Sequence, residues 1–149
     1  MGAQAIITGY AFVVGDLLHY GHLRFLRKCK EHCDYLIVGV YTDELTMTYK
    51  RKPIIPFEER IEMIAALRIV DEVRKVENID TTPMLKRLVA EGYNVKYLFH
   101  GTDWTKVLGE EYIKSIGGEL TQSPYGPTED DSIIWLNTTG IIKKIREVK

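Results

Sequence analysis

Little in this sequence points to a covalent staple, a membrane or a broad charged surface. Only two of its 149 residues are cysteines, Cys29 and Cys33. They fall in a stretch where Leu23, Leu26, Cys29 and Cys33 approximate one helical face, so they read as buried free thiols. A zinc site would need two further ligands at suitable spacing, and none is evident. The formal net charge of −1 gives no general attraction to nucleic acid or to an anionic bilayer, so any bound anion must be held by a local cluster of donors. The N-terminus carries no signal-peptide pattern, and no apolar run approaches the roughly 18 residues of a spanning helix. A cytoplasmic chain with no nucleic-acid or membrane partner is the expectation. No low-complexity linker or repeat divides the sequence, whose length suits one domain over residues 1–149. Apolar residues at 45% and charged residues at 28% are ordinary for a globular core.

What is present is an alternation of short apolar runs with helical patterns. Ala5 to Val14 is apolar and β-branched and contains a strand. His22 to His32 has helical periodicity, and Tyr35 to Tyr41 is an unbroken apolar run of the kind covered on both faces. A polar, basic loop spans Thr46 to Pro53. Pro56 then opens a helix with Glu58 and Glu59 in its first turn, continuing through Ile61, Ile64, Ala65 and Arg68. Val70 to Val76 contains a short strand. Thr82-Pro83 starts a helix ended by Gly92, and Val95 to Phe99 is a fourth strand. Thr105 to Ile116 reads as a helix, Leu120 as the centre of a fifth strand, Ser123 to Asn137 as a long loop and Thr139 to Val148 as a last helix. Strands separated by helices predict an α/β fold, a Rossmann-like doubly wound five-stranded parallel sheet with helices on both faces. Ligands of such sheets bind beyond the carboxyl ends of the strands. The loops to inspect are therefore 15–22, 42–53, 71–81, 100–104 and 123–139.

The first of these loops reads Asp16-Leu17-Leu18-His19-Tyr20-Gly21-His22. His19 and His22 are three apart at a strand-to-helix junction, which lets both imidazoles face one way where free backbone N–H groups already favour a phosphate. Gly21 leaves room for a phosphate to approach the backbone. Two imidazole donors aimed at one phosphorus would stabilise charge growing on its oxygens during in-line displacement. Two unrelated surface histidines, or two metal ligands, are the alternatives.

On this motif the sequence resembles the cytidylyltransferase-like nucleotidyltransferases with their HxGH signature, and the likeness extends over nearly the whole chain. Leu36 to Leu45 is similar to the family's second strand and following turn, Lys50-Arg51-Lys52-Pro53 with Glu59-Arg60 to its basic loop and third-strand approach, and Arg68 with Val70-Asp71-Glu72-Val73 to its arginine followed by VDEV. His100-Gly101-Thr102-Asp103-Trp104 resembles the GDDW element of the glycerol-3-phosphate and phosphonate branches, and Leu136-Asn137-Thr138-Thr139 followed by Ile141 and Ile142 the ISTT motif opening the last helix. The resemblance implies that His19, His22, Lys50, Lys52 and Arg68 act on the phosphates. It places Val14, Gly15, Asp16, Gly21, His100, Gly101, Asp103, Trp104, Asn137, Thr138 and Thr139 around the nucleotide, with Asp103 and Trp104 at the cytosine. Asp43, Asp71 and Tyr125 would meet the acceptor. It also implies CTP with Mg²⁺, a small phosphorylated or phosphonylated acceptor, and a homodimer. The bland alternatives are a solvated charge run for the lysines, a surface residue for Arg68, core for Trp104 and an N-cap for the threonines. Asp16 would position His19, meet Mg²⁺ through water, or cap a turn.

The sequence departs from that pattern in places. Val13-Val14-Gly15-Asp16 stands where the family writes Gly-Thr-Phe-Asp, and Thr102 replaces an aspartate. The run from Asp130 to Asn137 has no arginine where the family often carries one before ISTT, and Glu129, Asp130 and Asp131 bring negative charge. Two rivals follow: an FMN adenylyltransferase of the same superfamily, and a nucleotide-binding module without catalysis.

Overall fold

The computed structural model describes residues 2–101, 104–123 and 137–148. Five strands form one sheet: β1 (Thr8–Val13), β2 (Tyr35–Tyr41), β3 (Glu72–Val76), β4 (Val95–Gly101) and β5 (Glu119–Ser123). The helices are α1 (Tyr20–Lys30), α2 (Asp43–Met47), α3 (Phe57–Ala65), α4 (Thr82–Ala90), α5 (Glu110–Ser115) and α6 (Thr138–Glu147). The strand order is β3-β2-β1-β4-β5 and every pairing is parallel. This is the Rossmann-like α/β architecture expected from the sequence. Among the described residues no helix is long and apolar enough to cross a membrane.

Strand alternation divides the core in two. Successive side chains point to opposite faces, so Tyr10 and Phe12 join Ile37, Tyr41, Leu85, Leu88 and Ile113 on the face covered by α4 and α5. Ala11 and Val13 join Leu36, Val38, Val40, Phe25, Leu26 and Ile64 on the face covered by α1 and α3. Gly39 is where the first face needs no side chain: an added Cβ would overlap the Tyr10 hydroxyl. Burial on both faces explains why β2 reads as a continuous apolar run rather than an alternating one.

Two helices are shorter than their periodicity predicts. α5 starts only at Glu110, because Gly109 has φ 106° and a left-handed residue cannot sit inside a right-handed helix. α3 stops at Ala65, and its C-cap Ala66 leads into a turn that carries Arg68. The segment after β2, read as loop, contains α2, whose N-cap Thr42 accepts from the Leu45 N–H at 3.1 Å. With β2 on one side of β1 and β4 on the other, the chain reverses its winding at β1, and the carboxyl ends of β1 and β4 open a crevice there.

Candidate active site

The crevice begins where β1 gives way to α1. Gly15 has φ 73° and Leu17 φ 49°, two left-handed residues that turn the chain sharply. For leucine that conformation costs on the order of 1–2 kcal/mol. A Cβ at residue 15 would stand 2.6 Å from the end of the Ile64 side chain, which would have to shift, but it is the positive φ that favours glycine there.

His19 is the N-cap of α1, and its Nδ1 accepts the Gly21 N–H at 3.0 Å. His22 lies one turn on, and its Nδ1 accepts the His19 N–H at 3.2 Å. An imidazole nitrogen that accepts a backbone N–H carries no proton, so in each neutral ring the proton resides on Nε2. The rings lie 3.9 Å apart. Burial pushes His22 down to about 3, helped by His19 and Lys50 and opposed by Asp16. Burial also holds His19 below its ordinary value. Both rings are therefore neutral Nε2–H donors at pH 7. His19 Nε2 donates to Thr138 Oγ1 at 3.3 Å, and the Thr138 hydroxyl donates to the Asp16 carbonyl at 3.1 Å, which ties α6 to this corner.

The Asp16 carboxylate faces away from the histidines' task. It accepts the Ile54 and Ile55 N–H groups and the Arg51 guanidinium, each at 3.0 Å. Burial raises its pKa, but these hydrogen bonds together outweigh burial and hold the carboxyl below its ordinary value. Asp16 thus anchors the basic loop across the crevice. Behind it lies Arg60, 1% exposed. Its guanidinium donates to Ile55 O at 2.8 Å, to Val14 O and to Asp43 Oδ1 at 2.6 Å. One buried fork therefore joins the end of β1, the basic loop and the start of α2.

The far wall is aromatic. Phe12 stacks on Tyr41, with ring centres 5.7 Å apart, and touches His100 at 4.7 Å. His100 contacts Trp104 at 4.9 Å, and Tyr49 meets the Trp104 ring edge-on at 5.9 Å. The Gln122 amide donates to Gly101 O and Trp104 O at 3.2 and 2.9 Å, pinning the segment that follows β4. The N-terminal half of α6 completes the enclosure: Asn137 Oδ1 caps the helix by accepting Gly140 N–H at 2.7 Å.

These walls enclose about 630 Å³, the volume of a small-molecule site. His19, His22, Val14, Gly15, Asp16, Lys50, His100, Trp104, Asn137, Thr138 and Thr139 all line it. Gly21 is buried in the first turn of α1, and Gly101 ends β4 beside it. Asp103, Tyr125 and the acidic run Glu129 to Asp131 lie outside the described residues.

Four residues expected at the site are not among the cavity lining. Arg68 is exposed on the turn ahead of β3, hence at the amino edge of the sheet and far from the carboxyl-end crevice. Asp71 is at that same edge, accepting from Leu36 N–H at 2.7 Å and from Lys30. Asp43 is taken up by Arg60. Lys52 is exposed and outside the cavity lining, which takes in its equally exposed neighbour Arg51. Sequence reading passed over Arg51, Arg60, Lys143 and Arg146. Arg51 and Arg60 stood in segments already singled out, but nothing local said which basic residue turns inward. The cations lining the cavity are Lys50, Arg51, Lys143 and Arg146, and Asp16 is the one acidic residue among its described lining. Such a site suits an anion of nucleotide size.

Residues 15–126 match the sequence profile of the cytidylyltransferase-like family. The chain is 36% identical over 105 residues to ethanolamine-phosphate cytidylyltransferase of Mus musculus, covering 70% of this chain and 25% of that protein. It is 31% identical to the bifunctional protein HldE of Alcanivorax borkumensis over 98% of this chain and 28% of the other. The chain thus spans about a quarter of the length of these relatives. FAD synthase of Pyrococcus abyssi is 35% identical over 96% of this chain and 93% of its own length. The lipopolysaccharide core biosynthesis protein of Thermoplasma volcanium superposes with a TM-score of 0.63 at 23% identity, covering 79% of this chain and 94% of that one. At that identity it speaks to the fold alone. With a profile match over most of its length and the histidine pair at the carboxyl end of β1, this chain belongs to the cytidylyltransferase-like family of nucleotidyltransferases.

Proposed function

We propose that this chain is a CTP-dependent cytidylyltransferase acting on a small phosphate or phosphonate. An oxygen of the acceptor attacks the α-phosphorus of CTP, the bond from that phosphorus to the bridging oxygen breaks, and pyrophosphate leaves. No covalent enzyme intermediate is needed. The observation that carries this reading is the pair of neutral imidazoles, each held by a backbone N–H so that Nε2–H is its donor. Fixed donors of this kind stabilise charge on the equatorial oxygens as it develops, without reorganising during the reaction. Lys50 supplies positive charge beside them, and Arg51, paired with Asp16, lines the same cavity.

Mg²⁺ enters this proposal as the partner of the triphosphate. Among the described residues no three His, Cys, Asp or Glu side chains cluster to hold a metal, and the Asp16 oxygens are already bonded to Ile54, Ile55 and Arg51. No protein ligand for the ion is therefore assigned.

Similarity to ethanolamine-phosphate cytidylyltransferase supports cytosine as the base, and the aromatic wall around Trp104 offers it a stacking surface. The match to FAD synthase over nearly its whole length favours a second reading, adenylyl transfer from ATP to FMN. Pyrophosphate release decides between them, with CTP or ATP offered against glycerol 3-phosphate, phosphoethanolamine, phosphocholine, an alkylphosphonate and FMN. Turnover with CTP and one phosphate or phosphonate is expected. Turnover with ATP and FMN alone would replace the first reading by the second, and no pyrophosphate from any pair would sink both.

A further inference from the structure

The stretch ahead of Asn137-Thr138-Thr139 has no arginine, yet a triphosphate needs charge beyond the α-phosphate. α6 supplies it from the other direction. Thr139, Ile142, Lys143 and Arg146 all line the cavity, and spacings of three and four residues put them on one helical face. Lys143 is mostly exposed and meets Glu147 only at 4.0 Å. Arg146 makes no ion pair with any described residue. Both cations are thus available to a ligand in the crevice.

Their position along the helix says which part of the ligand they meet. Thr138, at the start of α6, is hydrogen-bonded to His19, so this end of the helix adjoins the site of the α-phosphorus. Lys143 and Arg146 follow roughly 7 and 12 Å further along the axis, at about 1.5 Å per residue. Helical side chains lean toward the N-terminus, so long ones at these positions can extend toward the end of α6 that carries Thr138. Resting on the nucleotidyl-transfer reading above, we propose that Lys143 and Arg146 bind the β- and γ-phosphates of the nucleoside triphosphate and hold the departing pyrophosphate.

Binding of CTP, CMP, ATP, AMP and inorganic pyrophosphate to the full chain, measured by calorimetry, tests this directly. Lys143→Gln with Arg146→Gln is expected to weaken triphosphate and pyrophosphate binding at least tenfold, and to leave monophosphate binding within twofold. In turnover, KM for the triphosphate rises by a similar factor while the acceptor KM stays within twofold. Arg146→Lys recovers part of the loss. Lys144→Gln, on the same helix but outside the cavity lining, changes neither. Because α6 has no buried residue, these substitutions leave the core intact, and a matching unfolding midpoint verifies it. Unchanged triphosphate and pyrophosphate binding, an equal loss for monophosphate, or a shift confined to the acceptor KM would each overturn the proposal. A wild-type chain that binds ATP and not CTP refutes the choice of base but still judges α6 through ATP and pyrophosphate. One that binds neither triphosphate nor pyrophosphate refutes both.

Discussion

Replacing Arg60 by Met removes the buried fork on which the crevice is assembled. The Arg60 side chain is fully buried, and its Asp43 partner is 20% exposed. Losing it strands the Asp43 carboxylate and leaves the Val14 and Ile55 carbonyls without their donor. Removing one partner of a buried ion pair costs about 3–5 kcal/mol, because the other charge stays behind uncompensated. At about 2–4 °C per kcal/mol for a chain of this size, Tm should fall by roughly 6–20 °C. Urea denaturation should show a lower midpoint with an unchanged m value, since the surface exposed on unfolding is the same. Asp43→Asn should cost less, about 1–2 kcal/mol, because an amide oxygen still accepts and water reaches that side. The double variant should lose less than the sum of the singles, as coupled neighbours do. Arg60→Lys should recover little, since one compact ammonium cannot span the three acceptors that the guanidinium reaches from three separate nitrogens. An Arg60→Met chain within about 1 kcal/mol of the parent would refute the assignment of Arg60 as the structural tie.

Three further outcomes follow from the same geometry. His22 stands at about 3 in the folded chain against 6.5 unfolded, so the unfolded state takes up the proton first. Its contribution to stability is complete above pH 6.5 and is lost as pH falls toward 3, at about 1.4 kcal/mol per pH unit. Denaturation curves between pH 7 and 4 should be flatter for His22→Gln, and an identical slope would argue against a buried neutral ring. Asp16 is depressed below its ordinary value of 3.8, so its stabilisation is present above 3.8 and lost as pH falls through the lower folded value. Asp16→Asn should cost about 2–3 kcal/mol at pH 7, the worth of charge-assisted bonds to Arg51 and two backbone groups, and should lose that acid limb. Thr138→Val breaks the relay from His19 to the Asp16 carbonyl. KM for the nucleotide should rise severalfold with about 1 kcal/mol lost in stability, and Thr138→Ser should restore both.

Much of the fold was legible because it is local. β2 reads as a strand from its own residues, and its bounds, Tyr35 to Tyr41, coincide with the apolar run. The histidine corner reads equally well, because both Nδ1 bonds close within three residues. Periodicity failed where backbone conformation interrupts it, at Gly109 ahead of α5 and at Ala66, where α3 ends and leaves Arg68 at the wrong edge of the sheet.

What the sequence determined by itself was the order of the strands and the β1–α1 loop, since each rests on neighbours a few positions apart. Only tertiary structure decided the rest. Arg51 meets Asp16 across 35 residues, Arg60 meets Val14 across 46, and Thr138 meets the Asp16 carbonyl across 122. Partners so far apart are chosen by how the parallel sheet gathers its carboxyl-end loops. That gathering put Arg51 in the cavity lining, committed Asp43 to Arg60, and brought Lys143 and Arg146 to the same crevice as the two histidines.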